Sequence, residues 1–194
     1  AVGSLVTFAE QGAVVAQGRQ NPLPVYRDFL TQYVDAYHHG KEEDLLLPAL
    51  VAAGINESSG PIHVIVKEHR DNKGIIDEIS ELSRRDYLKQ AQQQRLKHLA
   101  EQYAINIWEH IDKEDSVLFA EAEIRLRGAQ LASLNQNFND FESDFFAKNK
   151  RFLGLIEQTK LLLEQYPAKE DLPSAMRGEG CYICRHFGTL CQGI

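Results

Sequence analysis

The sequence predicts an all-α protein, a bundle of amphipathic helices joined by short turns. Apolar residues recur at helical spacing along nearly the whole chain, and few segments alternate with the period of two that a half-buried strand requires. Proline, glycine and small polar residues cluster at intervals that leave helix-length stretches between them. The chain has 194 residues, enough for one domain with a substantial core and an appendage. Its 43% hydrophobic and 25% charged residues fit a globular chain rather than a disordered one.

Residues 1–18 read as the end of a first helix, with Leu5, Phe8, Gly12 and Val15 at helical spacing. Asn21-Pro22-Leu23-Pro24 is a turn that places Pro24 near the first position of the next helix. That second helix is expected over about 25–53, with Leu30, Val34, Leu45 and Ala49 on its apolar stripe and Gly54 as its stop. Glu57-Ser58-Ser59-Gly60-Pro61 supplies loop, cap and proline in the order that opens a helix. The third helix carries Ile62, Ile65, His69, Ile76 and Ile79 on one stripe. A fourth begins near Asp86 and carries Leu96, Leu99, Tyr103, Ile107, His110, Val117 and Leu118. After a break near Gly128, one last helix carries Leu131, Leu134, Phe138, Phe141, Phe145, Phe152, Leu155 and Leu162. Past Tyr166-Pro167 the composition changes. The chain is expected to divide into a bundle over 1–127, an additional amphipathic helix over 128–166 packed on it, and a Cys-containing tail over 167–194.

The formal net charge of -7 argues against nucleic acid and anionic membrane as partners, because phosphate neutralisation needs the opposite sign. No apolar run approaches the roughly 20 residues of a membrane span. The N-terminus has no basic region followed by an apolar one, so no signal peptide is expected. Cys181, Cys184 and Cys191 are an odd count at one end, which does not read as a disulfide framework and points to a reducing, cytoplasmic setting.

The chemistry lies in a short internal echo. His38-His39-Gly40-Lys41-Glu42-Glu43-Asp44 on the second helix and His110-Ile111-Asp112-Lys113-Glu114-Asp115 on the fourth both contain His-x-x-x-Glu, then an acidic residue and an apolar run. Residues four apart share a helix face, so each motif projects an imidazole and a carboxylate together. Ile107, His110, Glu114, Val117 and Leu118 share one stripe, so that pair faces the core. On the second helix the stripe of Val34, Leu45 and Ala49 favours His38 and Glu42 as the inward pair over His39 and Glu43. His69 falls on the inward stripe of the third helix. Five polar groups from three helices then converge on an apolar interior, where uncompensated carboxylates are costly. A bound cation removes the difficulty, nitrogen and oxygen ligands suit iron, manganese or zinc, and two carboxylates able to bridge suggest two ions. His63, beside Lys67 and Arg70, and His98, with no carboxylate at ligand spacing, read as surface residues.

These residues resemble the hemerythrin-like, HHE cation-binding family. The likeness rests on residues 38–48, on Gly60-Pro61-Ile62 leading to Glu68-His69, on Tyr103 a heptad before His110, and on His110 to Glu114 with Val117-Leu118-Phe119, and it spans about 5–166. It implies an up-down four-helix bundle holding two non-haem iron ions. By position, His38, His69 and His110 would be terminal ligands and Glu42 and Glu114 would bridge. Tyr103 would either face the site or be a core tyrosine, and His39 and Glu43 would orient the ligands or replace them. The family usually has a Glu-His on its first helix. Here no histidine precedes His38, so that pair would fall at or just before Ala1, with Glu10 as a poorer substitute. Ile65 stands where respiratory hemerythrins have a further histidine. The implied function is binding or sensing of a small diatomic ligand, oxygen or nitric oxide. The alternatives are peroxide chemistry at the same di-iron centre, which would make the chain an enzyme, and iron or metal handling. Homo-oligomerisation is left open.

Cys181, Cys184, His186 and Cys191 lie outside this resemblance. Three sulfurs and a nitrogen are a permissible zinc set, Cys-x-x-Cys is equally a redox pair, and an unspecialised tail is the third reading.

Overall fold

A computed structural model describes residues 1–13 and 21–169, and these contain six helices and no strand. The fold is the expected all-α bundle with additional C-terminal helix. The first helix, α1, is Val2–Glu10. It is shorter than expected, because Gly12 (φ 76°) and Ala13 (φ 50°) turn the chain left-handed and close the helix. Continuation to Val15 falls outside the described residues.

The second helix, α2, opens on Asn21, whose side-chain oxygen accepts from Leu23 N at 3.0 Å. It runs without interruption through Leu23–Asp28, Phe29–His39, Glu42–Leu46 and Leu47–Ala52. The stretches Phe29–His39 and Glu42–Leu46 are π-helical. A π-turn rotates the chain less per residue than an α-turn, so it shifts which side chains face inward. Leu46, Leu47 and Leu50 are therefore buried, whereas the expected stripe residues Leu45 and Ala49 are only partly so.

The third helix, α3, is Pro61–Ser83, opened by Gly60 with φ 72° and ψ -151°. The fourth, α4, comprises Gln90–Lys113, a π-turn at Glu114–Leu118, and Phe119–Arg125. That π-turn corrects another expectation. Val117 is 44% exposed, while Leu118 and Phe119 are buried. The single last helix is in fact two. The fifth, α5, is Ala129–Lys148, and the sixth, α6, is Phe152–Gln165. Asn149 divides them: its side-chain amide donates to the Phe145 carbonyl, and its own carbonyl accepts from Phe152 N, both at 2.9 Å.

Helix α4 packs against α1 and α3, and the start of α2 against α3. Two apolar clusters fill the bundle. One holds Leu5, Phe8, Leu30, Ile76, Ile79, Leu99 and Ile107. The other holds Leu46, Leu50, Ile62, Ile65, Leu118 and Phe119. Along each of α2, α3 and α4, the inward histidines and glutamates fall between the residues of these two clusters. The polar layer is thus closed off by hydrocarbon above and below. Outside it, α5 and α6 lie against α2 through Tyr37, Phe152 and Ile156, with Tyr33, Phe141, Phe145 and Phe146 around them.

Candidate metal centre

Six side chains from three helices form the polar layer. His38 (6% exposed), His39 (2%) and Glu42 (0%) come from α2, His69 (3%) from α3, and His110 (0%) and Glu114 (0%) from α4. His38 Nε2 lies 3.7 Å from Glu42 Oε1. His69 Nε2 lies 3.3 Å from Glu42 Oε2 and 4.0 Å from Glu114 Oε1. His110 Nε2 lies 2.9 Å from Glu114 Oε1 and 3.2 Å from His69 Nε2. One ligand atom each from Glu42, His69, His110 and Glu114 fits within 4.8 Å of all the others, as does one each from His39, His69 and His110.

The choice between His38 and His39 does not arise in the structure, because the π-turns bring both inside. His39 stacks on His69, with centroids 3.9 Å apart and planes 14° apart, and meets His110 edge-on at 5.7 Å. Both His39 ring nitrogens are buried without a hydrogen-bond partner. Glu43 is not part of the inner layer. It is nearly half exposed, and its Oε1 accepts from His69 Nδ1 at 2.7 Å. Glu68, adjacent to His69, holds His110 the same way, at 3.0 Å from Nδ1, and also accepts from Lys113 Nζ at 2.7 Å. A carboxylate can only accept, so both rings carry a proton on Nδ1 and turn Nε2 inward, which is the tautomer a metal-binding histidine needs. Sequence reasoning quoted Glu68 without giving it this role. Its place one residue before a candidate ligand was the available signal.

Glu10 is not drawn in. It pairs with Lys169 at 2.7 Å. Tyr103 is fully buried among Leu99, Ala100 and Ile107, its hydroxyl has no hydrogen-bond partner among the described residues, and burial pushes its phenol up. His63 and His98 are exposed, as expected. The cysteines and His186 lie outside the described residues.

The electrostatics call for positive charge. Burial pushes the Glu42 carboxyl up, and the neighbouring Glu114 adds to it. Glu114 would rise through burial too, but His110 and His69 hold it well below the usual carboxylate range. Burial lowers His69, yet Glu114, Glu42 and Glu43 together raise it to about 11. Burial, then His69 and His38, hold His39 well below the ordinary imidazole value. None of the four oxygens of Glu42 and Glu114 has a directed hydrogen bond, although imidazole nitrogens lie 2.9–3.7 Å from three of them. Buried carboxylates without directed hydrogen bonds are poorly served as acceptors. As ligands to cations between them and the imidazoles they would be satisfied, so the residues present fit a metal.

Fold and site together define a helical-bundle protein with a buried histidine–glutamate layer suited to cations. The chain matches the hemerythrin HHE cation binding domain over residues 6–122, and it belongs to that family. No curated protein and no solved structure matches it.

Proposed function

We propose that this chain holds two non-haem iron ions in the layer formed by His38, His39, Glu42, His69, His110 and Glu114, and binds or senses a diatomic ligand, oxygen or nitric oxide, there. The observation that carries the reading is the pair of fully buried glutamates, on different helices, with four oxygens that lack directed hydrogen bonds. Two carboxylates offer enough oxygens to span two ions, and the imidazoles offer nitrogens at the edges. Iron would supply reversible electron exchange with a diatomic ligand. The protein's contribution is the rest. Glu43 and Glu68 fix the tautomers of His69 and His110. The apolar clusters on either side keep bulk water from the layer and lower its local dielectric.

The test is metal content per chain of protein purified without added metal, with visible absorption recorded in air and then with nitric oxide under nitrogen. About two irons per chain and a spectrum that changes with the gas are expected. Iron without any response to either gas would overturn ligand sensing and favour metal handling, and rapid peroxide turnover would favour the enzymatic reading. No metal in the bundle, even after reconstitution with ferrous iron, would overturn the site itself.

A further inference from the structure

The motif that supplies the inward residues of α2 has two residues between its imidazoles and Glu42, namely Gly40 and Lys41. Neither belongs to the metal layer. Lys41 is completely buried, which is exceptional for an ammonium and requires a partner. Its Nζ donates to Glu142 Oε1 on α5 at 2.9 Å and to the Tyr37 hydroxyl at 3.3 Å, and lies 4.3 Å from the centre of the Tyr37 ring. Tyr37 OH donates to the same Glu142 oxygen at 2.8 Å. The next residue back on α5, Phe141, lies over the backbone of Gly40: a Cβ built there would be 3.4 Å from the ring's Cζ. One face of this turn of α2 therefore presents His38, His39 and Glu42 to the layer, and the opposite face presents Tyr37, Gly40 and Lys41 to α5.

The turn stands between two π-helical stretches, Phe29–His39 and Glu42–Leu46. Such backbone is rare and persists only where its surroundings hold it. A buried ion pair is a weak source of stability but a strict one of register, because any other alignment leaves a charge unpaired in hydrocarbon. Helix α5 begins beyond the family match, which ends at residue 122.

We infer that α5 is a positioning element of the metal centre: Glu142 and Phe141 clamp the Gly40–Lys41 turn and so hold α2 in the register at which His38, His39 and Glu42 meet the residues of α3 and α4. This rests on the metal reading of the layer. The helix outside the family domain is then the back wall of the site rather than an ornament on the bundle.

The test compares Glu142→Leu and Phe141→Ala in the full chain with Ile79→Ala, a cavity in the distant apolar cluster that serves as the stability control. Two readouts are taken: the rate at which iron-loaded protein loses metal to a chelator, and amide hydrogen exchange over residues 37–46 in the metal-free protein. Both α5 variants are expected to lose iron on the order of tenfold faster than wild type. Exchange over 37–46 rises with it, while Ile79→Ala leaves both near wild type. If Glu142→Leu fails to fold, Phe141→Ala, which disturbs no charge, carries the comparison. Iron loss and exchange in the α5 variants no faster than in Ile79→Ala would overturn the inference. If wild type takes up no iron, the metal reading fails, and exchange over 37–46 still decides whether α5 holds the turn.

Discussion

His39 shows how much one residue's role depends on its surroundings. In sequence it is the second of two adjacent histidines, and a regular α-helix can turn only one of them fully inward. In the structure it stacks on His69 with neither ring nitrogen hydrogen-bonded. His39→Phe keeps a ring in that stack and removes both nitrogens. The variant should fold and melt within a few degrees of wild type without metal, and bind iron at least about tenfold more weakly, the size of effect that follows loss of a group supporting a metal site. Titration with ferrous iron under nitrogen checks this, and unchanged affinity would return His39 to a packing role. Glu43 and Glu68 act one step further out. Each reaches a ring from its outer side, away from the layer, so their effect on the metal is exerted through histidine orientation.

At the scale of helices, ends marked by proline or glycine are written plainly, as at Gly60-Pro61, whereas the break at Asn149 and the helix interiors are not. Gly60 adopts φ 72° and ψ -151°, a region open almost only to glycine, immediately before Pro61 begins α3. Nothing lies within 4 Å of a Cβ built there, so Gly60→Ala meets backbone strain alone. It should cost about 1–3 kcal/mol of unfolding free energy. The site would be left intact, so denaturant melts should shift while iron stoichiometry stays fixed. The π-turns have no comparable signature. Leu45-Leu46-Leu47 and Val117-Leu118-Phe119 each offer several apolar residues in a row, and periodicity alone placed Leu118 correctly but put Leu45 and Val117 in the core as well. Packing of Leu46, Leu47, Leu118 and Phe119 in one cluster settles the phase.

Across the whole molecule, the bundle trades stability for a polar interior. Two carboxylates and four imidazoles fill a layer that hydrocarbon would fill more cheaply, so the metal-free protein carries the cost and bound metal offsets it. Glu42→Gln combined with Glu114→Gln removes both negative charges at nearly constant volume. The metal-free double variant should melt no lower than metal-free wild type, and it should lose the metal-dependent gain, about 2.7 kcal/mol at a free-metal concentration one hundred times Kd. Differential scanning calorimetry with and without ferrous iron separates the two effects. A double variant still stabilised by iron would place the metal elsewhere. No helix among the described residues is long and apolar enough to cross a membrane, in keeping with helices that are apolar on one face only.

The sequence by itself determined the helical class, most of the turns, and the inward faces that carry Glu42, His69, His110 and Glu114. Helical spacing, proline and glycine are local signals, and a carboxylate repeated on an apolar stripe has few uses other than a cation. Only the tertiary structure decided that His39 joins the layer, that Val117 leaves the core, that Glu10 pairs with Lys169, and that Lys41 is buried against Glu142, 101 residues away. Each depends on the phase of a helix or on a partner far along the chain. A π-turn changes the rotation of a helix without leaving a mark in composition, and a buried lysine is indistinguishable from a solvated one until the helix that covers it is in place.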